Sequence, residues 1–176
     1  QKDTARLLDW QTAKRLPWGI ILLFGGGFAL ASGFKNSGLS EWLGTQLHGV
    51  SNFPPLLIIA VICFLITFLT ELTSNTASAQ ILLPVLASLA VAIKVNPLML
   101  MIPGTIACSC AFMLPVATPP NAIIFGTERL RIYDMAKTGV LINFISILLV
   151  TLVVYFWGTE VFNIDLRIFP EWAIGK

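Results

Sequence analysis

Charged residues are absent from five stretches of this chain, and the spacing of those stretches sets out its elements. Residues 16–34, 53–70, 76–93, 95–127 and 138–159 contain no Asp, Glu, Lys or Arg over 19, 18, 18, 33 and 22 positions. A helix needs about 20 apolar residues to cross about 30 Å of hydrocarbon. Four of the runs therefore have span length, and 95–127 is too long for one straight span. Between the first two runs, 37–48 carries Leu39, Trp42, Leu43 and Leu47 at helical spacing, with Glu41, Gln46 and His48 elsewhere. That pattern predicts a short amphipathic helix lying in a membrane interface, with His48 solvated or interfacial. No run reads as a removable signal peptide: the first follows a charged segment and has no small-residue cleavage pattern behind it. The tail from Glu160 is mixed in polarity, and Trp172 suits an interface anchor.

Composition agrees with the pattern. Of 176 residues 56% are hydrophobic and 11% charged, and the mean hydropathy is +0.84. Soluble domains run at roughly 45–50% and about 25%, so this chain lacks the polar residues to cover a water-facing surface. Its principal surroundings are a lipid bilayer. Disorder is excluded by the apolar content, and a formal charge of +2 offers no basic stripe for nucleic acid. Ten prolines and thirteen glycines argue against a bundle of long uninterrupted helices. Three cysteines, Cys63, Cys108 and Cys110, make no small disulfide framework. Cys108-x-Cys110 as half a metal site lacks a nearby Cys or His partner, and cysteine packs well as a small apolar residue.

Seven of the eleven Lys and Arg fall in two clusters, Lys2, Arg6, Lys14 and Arg15 before the first run and Arg129, Arg131 and Lys137 between the fourth and fifth. The positive-inside rule puts both clusters in the cytoplasm. The first run then leads out, the second and third together return to the outside, the fourth leads in and the fifth leads out. The same parity holds for two full spans or one re-entrant hairpin at the second and third runs. The C-terminus is expected to be extracytoplasmic.

Two polar interruptions carry the candidate chemistry. Thr70-Glu71-Leu72-Thr73-Ser74-Asn75-Thr76 separates the second and third runs. It reads either as a loop at the membrane surface or as a binding tip. It has neither Gly nor Pro, the usual residues of a tight turn, and it is dense in hydroxyl and amide groups. Ser-Asn-Thr opens the following helix, whose first N–H groups have no partners inside it; with the helix dipole they suit an anion. The fourth run is interrupted at Pro115-Val116-Ala117-Thr118-Pro119-Pro120-Asn121. Pro119 and Pro120 offer no N–H, and Thr118 and Pro119 each precede a proline. An ordinary kink, as expected at Pro84 and Pro103, is one account. The other is a true break, tolerable where it lines a cavity, with free carbonyls for a hard cation and a new helix start for an anion. Two such interruptions 43 residues apart (Asn75 to Thr118) form the recurrent layout of a secondary transporter's midplane site. Glu71 is the only acidic residue between Glu41 and Glu128, and both a role in proton coupling and a structural role are open to it.

At these residues the sequence resembles the divalent anion:sodium symporter family, the di- and tricarboxylate carriers. The matching stretches are Leu-Pro-Trp-Gly-Ile-Ile-Leu-Leu-Phe-Gly-Gly-Gly-Phe-Ala-Leu (16–30), Ser-Gly-Leu-Ser-Glu-Trp (37–42), Thr-Glu-Leu-Thr-Ser-Asn-Thr (70–76) and Cys-Ala-Phe-Met-Leu-Pro-Val-Ala-Thr-Pro-Pro-Asn-Ala-Ile (110–123). The resemblance covers all but the C-terminal tail. It implies an all-α polytopic membrane protein with spanning helices, a re-entrant helical hairpin, a broken membrane helix and an interfacial amphipathic helix. On that plan 16–34 is a membrane helix, 37–48 the interfacial helix, 53–94 the hairpin, 97–127 the broken helix and 138–159 the last membrane helix. Family members have two inverted repeats, each with a Ser-Asn-Thr tip. One such tip is present here, so the chain is expected to be the C-terminal part of a carrier whose N-terminal half is missing.

Carried over residue by residue, the resemblance puts Ser74, Asn75 and Thr76 on a substrate carboxylate, with Thr118 and Pro119 completing the wall. It puts sodium between tip and break, on oxygens of Thr70, Thr73, Asn75, Ala117 and Asn121. Thr76 at the third tip position leans toward dicarboxylates, since some citrate-preferring members vary it. The expected activity is sodium-coupled uptake of a succinate-like C4 dicarboxylate by a homodimer with elevator-type alternating access, in a bacterial inner (plasma) membrane. A sodium-independent dicarboxylate exchanger and a proton-coupled carrier are the alternatives. An enzyme is not expected: there is no His-Glu-x-x-His motif, no pair of intramembrane aspartates, and no nucleophile with a histidine in sequence reach.

Overall fold

The computed structural model describes residues 9–16, 18–39, 42, 53–165 and 169–173. Within them the chain is all-α, and its helices are α1 (Trp10–Lys14), α2 (Trp18–Asn36), α3 (Pro55–Thr70), α4 (Asn75–Ala92), α5 (Pro97–Ala107), α6 (Pro119–Phe125) and α7 (Ile132–Val153). A π-helical turn, Val154–Gly158, and one further α-turn, Thr159–Val161, prolong α7. By length and composition, Asn75–Ala92 and Ile132–Val161 are candidate membrane spans. The expected interfacial helix at 37–48 lies largely outside the described residues.

Two helix starts follow from the residues that meet their unpaired N–H groups. Asn96 caps α5, its Oδ1 accepting from Leu98 N at 3.0 Å, and Pro97 takes the first turn, where no N–H is needed. The double proline at 119–120 obeys the same rule. It occupies the first two positions of α6, and Thr118 caps it by accepting from Asn121 N at 3.3 Å. Pro84 and Pro103 lie inside α4 and α5, which run through them. One expectation changes. The break was expected at 115–121, but α5 ends at Ala107 and helix resumes only at Pro119, so the non-helical stretch is 108–118. Its cause lies outside the stretch, as the site geometry makes plain.

α5 is the wedge of the structure. It packs against both α3 and α4, while α4 also packs on α2 and α3 on α7. Gly104 makes the wedge fit: a Cβ there would lie 2.8 Å from Leu86 Cδ1 on α4 and 3.1 Å from Ile66 Cδ1 on α3. Ile59, Cys63, Met99, Leu100, Ala107 and Cys108 fill the interior around it. At the α2–α4 crossing only Gly27 of the 25–27 glycine run is in contact, with Gln80 O 2.6 Å from where its Cβ would stand.

α7 docks with one face. Gly139, Asn143, Ile147 and Thr151, four residues apart, are its buried positions, and the π-turn continues the face with Val154 and Gly158. Leu141, Phe144, Ile145, Leu148, Leu149 and Leu152 on the remaining surface are exposed. A water-facing helix would place polar residues there; an apolar exterior suits acyl chains.

Gly139 decides how close α7 can come. A Cβ at this position would collide with the Phe112 carbonyl and stand 2.5 Å from Met113 Cα, backbone atoms that cannot swing aside. Gly139→Ala is therefore expected to cost about 1–3 kcal/mol. Gly104→Ala, which meets only side-chain tips, should cost less. Thermal unfolding in detergent, compared between the two variants, checks the order.

Candidate functional site

The tip between α3 and α4 and the non-helical stretch between α5 and α6 meet in one place. Glu71, the C-cap residue of α3, is 3% exposed. Its Oε1 accepts from Phe112 N at 2.7 Å and Met113 N at 2.9 Å, and its Oε2 from Leu114 N at 3.1 Å. A fourth donor, Asn143 Nδ2 of α7, reaches Oε1 at 2.8 Å. Three consecutive backbone N–H groups turned toward one anion form a nest. Here the anion is the chain's own carboxylate. The i−4 pattern already gives way at Ser109 and Cys110, whose N–H groups bond the carbonyls of Ile106 and Ala107. Helix does not resume beyond them because the amides of 112–114 are given to Glu71 and cannot bond carbonyls one turn back.

Asn121 supports the same stretch from the other end. Its Nδ2 donates to the carbonyls of Ala111 at 3.0 Å and Leu114 at 3.1 Å, while its backbone N–H is held by Thr118. The stretch is thus braced through its N–H groups by Glu71 and through its carbonyls by Asn121.

Beside Glu71, oxygens gather. Thr70 Oγ1 lies 2.8 Å from Asn75 Oδ1 and 2.9 Å from the Cys108 carbonyl; Thr70 and Cys108 are buried and Asn75 is half-buried. Its single hydrogen can satisfy one of those acceptors at a time. Thr73 Oγ1 donates to the Leu69 carbonyl at 3.1 Å and shares a 2.5 Å contact with Ser78 Oγ. An excess of hydroxyl, amide and carbonyl oxygens over hydrogens is the donor set a hard monovalent cation takes.

The start of α4 has a different character. Ser74 is its N-cap but makes no side-chain capping bond, and it and Thr76 are exposed. The first N–H groups of this 18-residue helix therefore remain for an outside acceptor. α6 offers no equivalent: Pro119 and Pro120 lack N–H groups and Thr118 caps Asn121. The expectation of a second anion-binding helix start after the break is not met, because the prolines that open α6 are also the residues without donors.

Of the residues expected at the site, the structure joins Thr70 to Asn75, Thr118 to Asn121, and the tip to the break through Thr70 and Glu71. Ala117 is buried in the break, its N–H bonded to the Leu114 carbonyl at 3.2 Å. Among the described residues no hydrogen bond links Ser74 or Thr76 with Thr118 or Pro119. The sequence reading missed Asn143, Gly139, Ser78 and the Cys108 carbonyl. Only Asn143 left a signal, as the one carboxamide in the apolar run 138–159.

Comparison with known proteins gives the chain's family. Residues 4–164 match the family model described as the sodium:sulfate symporter transmembrane region, and the chain belongs to that family. It is 53% identical over 161 residues to a sodium-dependent dicarboxylate transporter of Staphylococcus saprophyticus, covering 92% of this chain and 31% of the relative. It is 52% identical over 172 residues to the Na(+)/dicarboxylate cotransporter 3 of Rattus norvegicus, covering 97% of this chain and 28% of that one. With solute carrier family 13 member 2 of Oryctolagus cuniculus it shares 49% over 173 residues, 98% of this chain and 29% of the relative. The chain thus spans less than a third of these relatives' length.

The Glu71 nest makes a direct prediction. Glu71→Gln keeps the shape but turns an NH2 group toward backbone N–H groups, leaving at least one of the three unpaired at a cost of about 1–3 kcal/mol. Amide hydrogen exchange at 112–114 is expected to accelerate in this variant while exchange in the middle of α4 stays unchanged.

Proposed function

We propose that this member of the sodium:sulfate symporter family forms the C-terminal part of a secondary transporter that couples sodium entry to uptake of a small dicarboxylate, with a succinate-like C4 dianion favoured. The observation that carries the proposal is the double position of Asn75. Its backbone opens α4, where N–H groups remain available, and its side-chain oxygen belongs to the cluster with Thr70 and Cys108. One residue borders both an anion site and a cation site.

In this reading a substrate carboxylate takes the N–H groups at the start of α4 and the hydroxyls of Ser74 and Thr76, with Thr118 and Pro119 as the facing wall. Sodium takes oxygens of Thr70, Thr73, Asn75, Ala117 and Asn121. Sodium binding first fixes the Asn75 side chain and with it the opening turn of α4, so substrate then meets an ordered site. Linkage requires substrate to tighten sodium by the same factor. The names of the bacterial and mammalian relatives support sodium as the coupled ion and a dicarboxylate as the cargo. The 53–94 segment acts as a re-entrant hairpin, and a preceding half of the carrier supplies a matching tip. The complete protein works as an elevator-type homodimer, multi-pass in the plasma membrane of a bacterium, with its C-terminus outside as the placement of Lys and Arg favours.

In the complete carrier reconstituted in proteoliposomes, Asn75→Ala is expected to raise the half-saturating concentrations of sodium and of succinate together, each by about tenfold, equivalent to about 1.4 kcal/mol. A variant that loses succinate affinity while keeping its sodium dependence would refute the shared site.

A further inference from the structure

We infer that Asn143, deep in α7 and away from the substrate-facing tip, is a positioning residue for the cation site, acting through Glu71. The inference rests on the transport reading above. Asn143 is fully buried, 0% exposed, and its Nδ2 donates to Glu71 Oε1 at 2.8 Å. Its Oδ1 is also buried and has no hydrogen-bond partner among the described residues. A leucine at this position would fill a similar volume without leaving a buried acceptor unpaired. Placing a carboxamide there is worthwhile only for its N–H end, and that end serves Glu71.

The seat on α7 has two parts on one face. Gly139, one turn before Asn143, is the hollow into which Phe112 and Met113 press, and Asn143 supplies the donor. The same two residues, Phe112 and Met113, give their amides to Glu71 Oε1. Glu71, the stretch 112–114 and α7 are thereby closed into one unit. Both ends of the cation site are attached to that unit. Thr70 is the chain neighbour of Glu71, and Ala117 lies three residues beyond Leu114, whose carbonyl it bonds. Shifting Glu71 therefore moves the Thr70 hydroxyl and the Ala117 carbonyl relative to one another, and it reaches the opening of α4 only through the Thr70–Asn75 bond, which a bound cation also orders.

The consequence is a split in affinities. In the complete carrier, Asn143→Leu is expected to raise the sodium concentration for half-maximal uptake by about tenfold. At saturating sodium the succinate half-saturation should move by less than twofold. Because Asn143 acts through Glu71, Asn143→Leu added to Glu71→Ala, which removes the acceptor, should change the sodium half-saturation by less than twofold beyond Glu71→Ala alone. Sodium-dependent thermal stabilisation of the purified proteins supplies the same cycle when a variant transports too slowly.

Equal losses of sodium and succinate affinity, or independent multiplication of the two substitutions, would overturn the inference, as would an Asn143→Leu carrier that only loses folded yield at unchanged sodium affinity. Wild-type uptake that ignores sodium would instead overturn the transport reading on which the inference stands.

Discussion

The structure depends on the way one carboxylate satisfies backbone that helix geometry has abandoned. Backbone that is shielded from water must pair its N–H and C=O groups inside the protein, and the core of the non-helical stretch 108–118 does so. Glu71 takes the amides of Phe112, Met113 and Leu114, and Asn121 takes the carbonyls of Ala111 and Leu114. A buried carboxylate without such donors would be costly, and a buried stretch of unpaired amides equally so. Each is the solution to the other.

The remaining packing brings these groups to one point. α5 is half a bilayer long, about 16 Å at the usual rise, and it ends inside the bundle because Gly104 lets it enter between α3 and α4. The cap of α3 then lies beside the end of α5, which puts Thr70 on the Cys108 carbonyl. α7 closes the unit from outside, and the glycine at 139 allows backbone-to-backbone approach where any side chain would hold the helices apart. Small residues serve the same purpose at many membrane helix contacts. At Gly139 the neighbour is a non-helical segment, so the gain is access for the Asn143 donor.

Much of this was legible along the chain, and the part that was not has a definite physical cause. Charge-free run 53–70 ends where α3 ends, and 76–93 differs from α4 by one residue at each end, because both boundaries are set locally by polar residues. Ser74-Asn75-Thr76 announced a helix start, and the structure puts it there. Pro119-Pro120 also announced a boundary, but as the opening of a helix instead of the centre of a break. The end of α5 could not be read at all: 108–114 is apolar apart from Ser109 and contains no helix breaker. What keeps 112–114 from continuing it is Glu71, 41 residues from Phe112 in the chain. For the same reason Asn143 was visible only as an oddity in an apolar run; its partner lies 72 positions away.

The distribution of donors explains why an anion and a cation would be handled together here. Around the tip and the break, α6 begins on two prolines and the Thr118 cap, and the 112–114 amides are spent on Glu71. The start of α4 is what remains open, so donors for an incoming carboxylate are concentrated at Ser74, Asn75 and Thr76. Yet that opening follows Glu71 by only a few residues, and a second anion there meets like charge across a poorly screened interior. The oxygens of Thr70, Asn75 and Cys108 meet beside Glu71, and one of them belongs to the residue that opens α4. A cation held by them, as proposed, would offset the fixed carboxylate beside the opening of α4. On the proposed reading, sodium before substrate is the order that this charge favours, because the nest that stabilises the break also places a negative charge near the opening of α4.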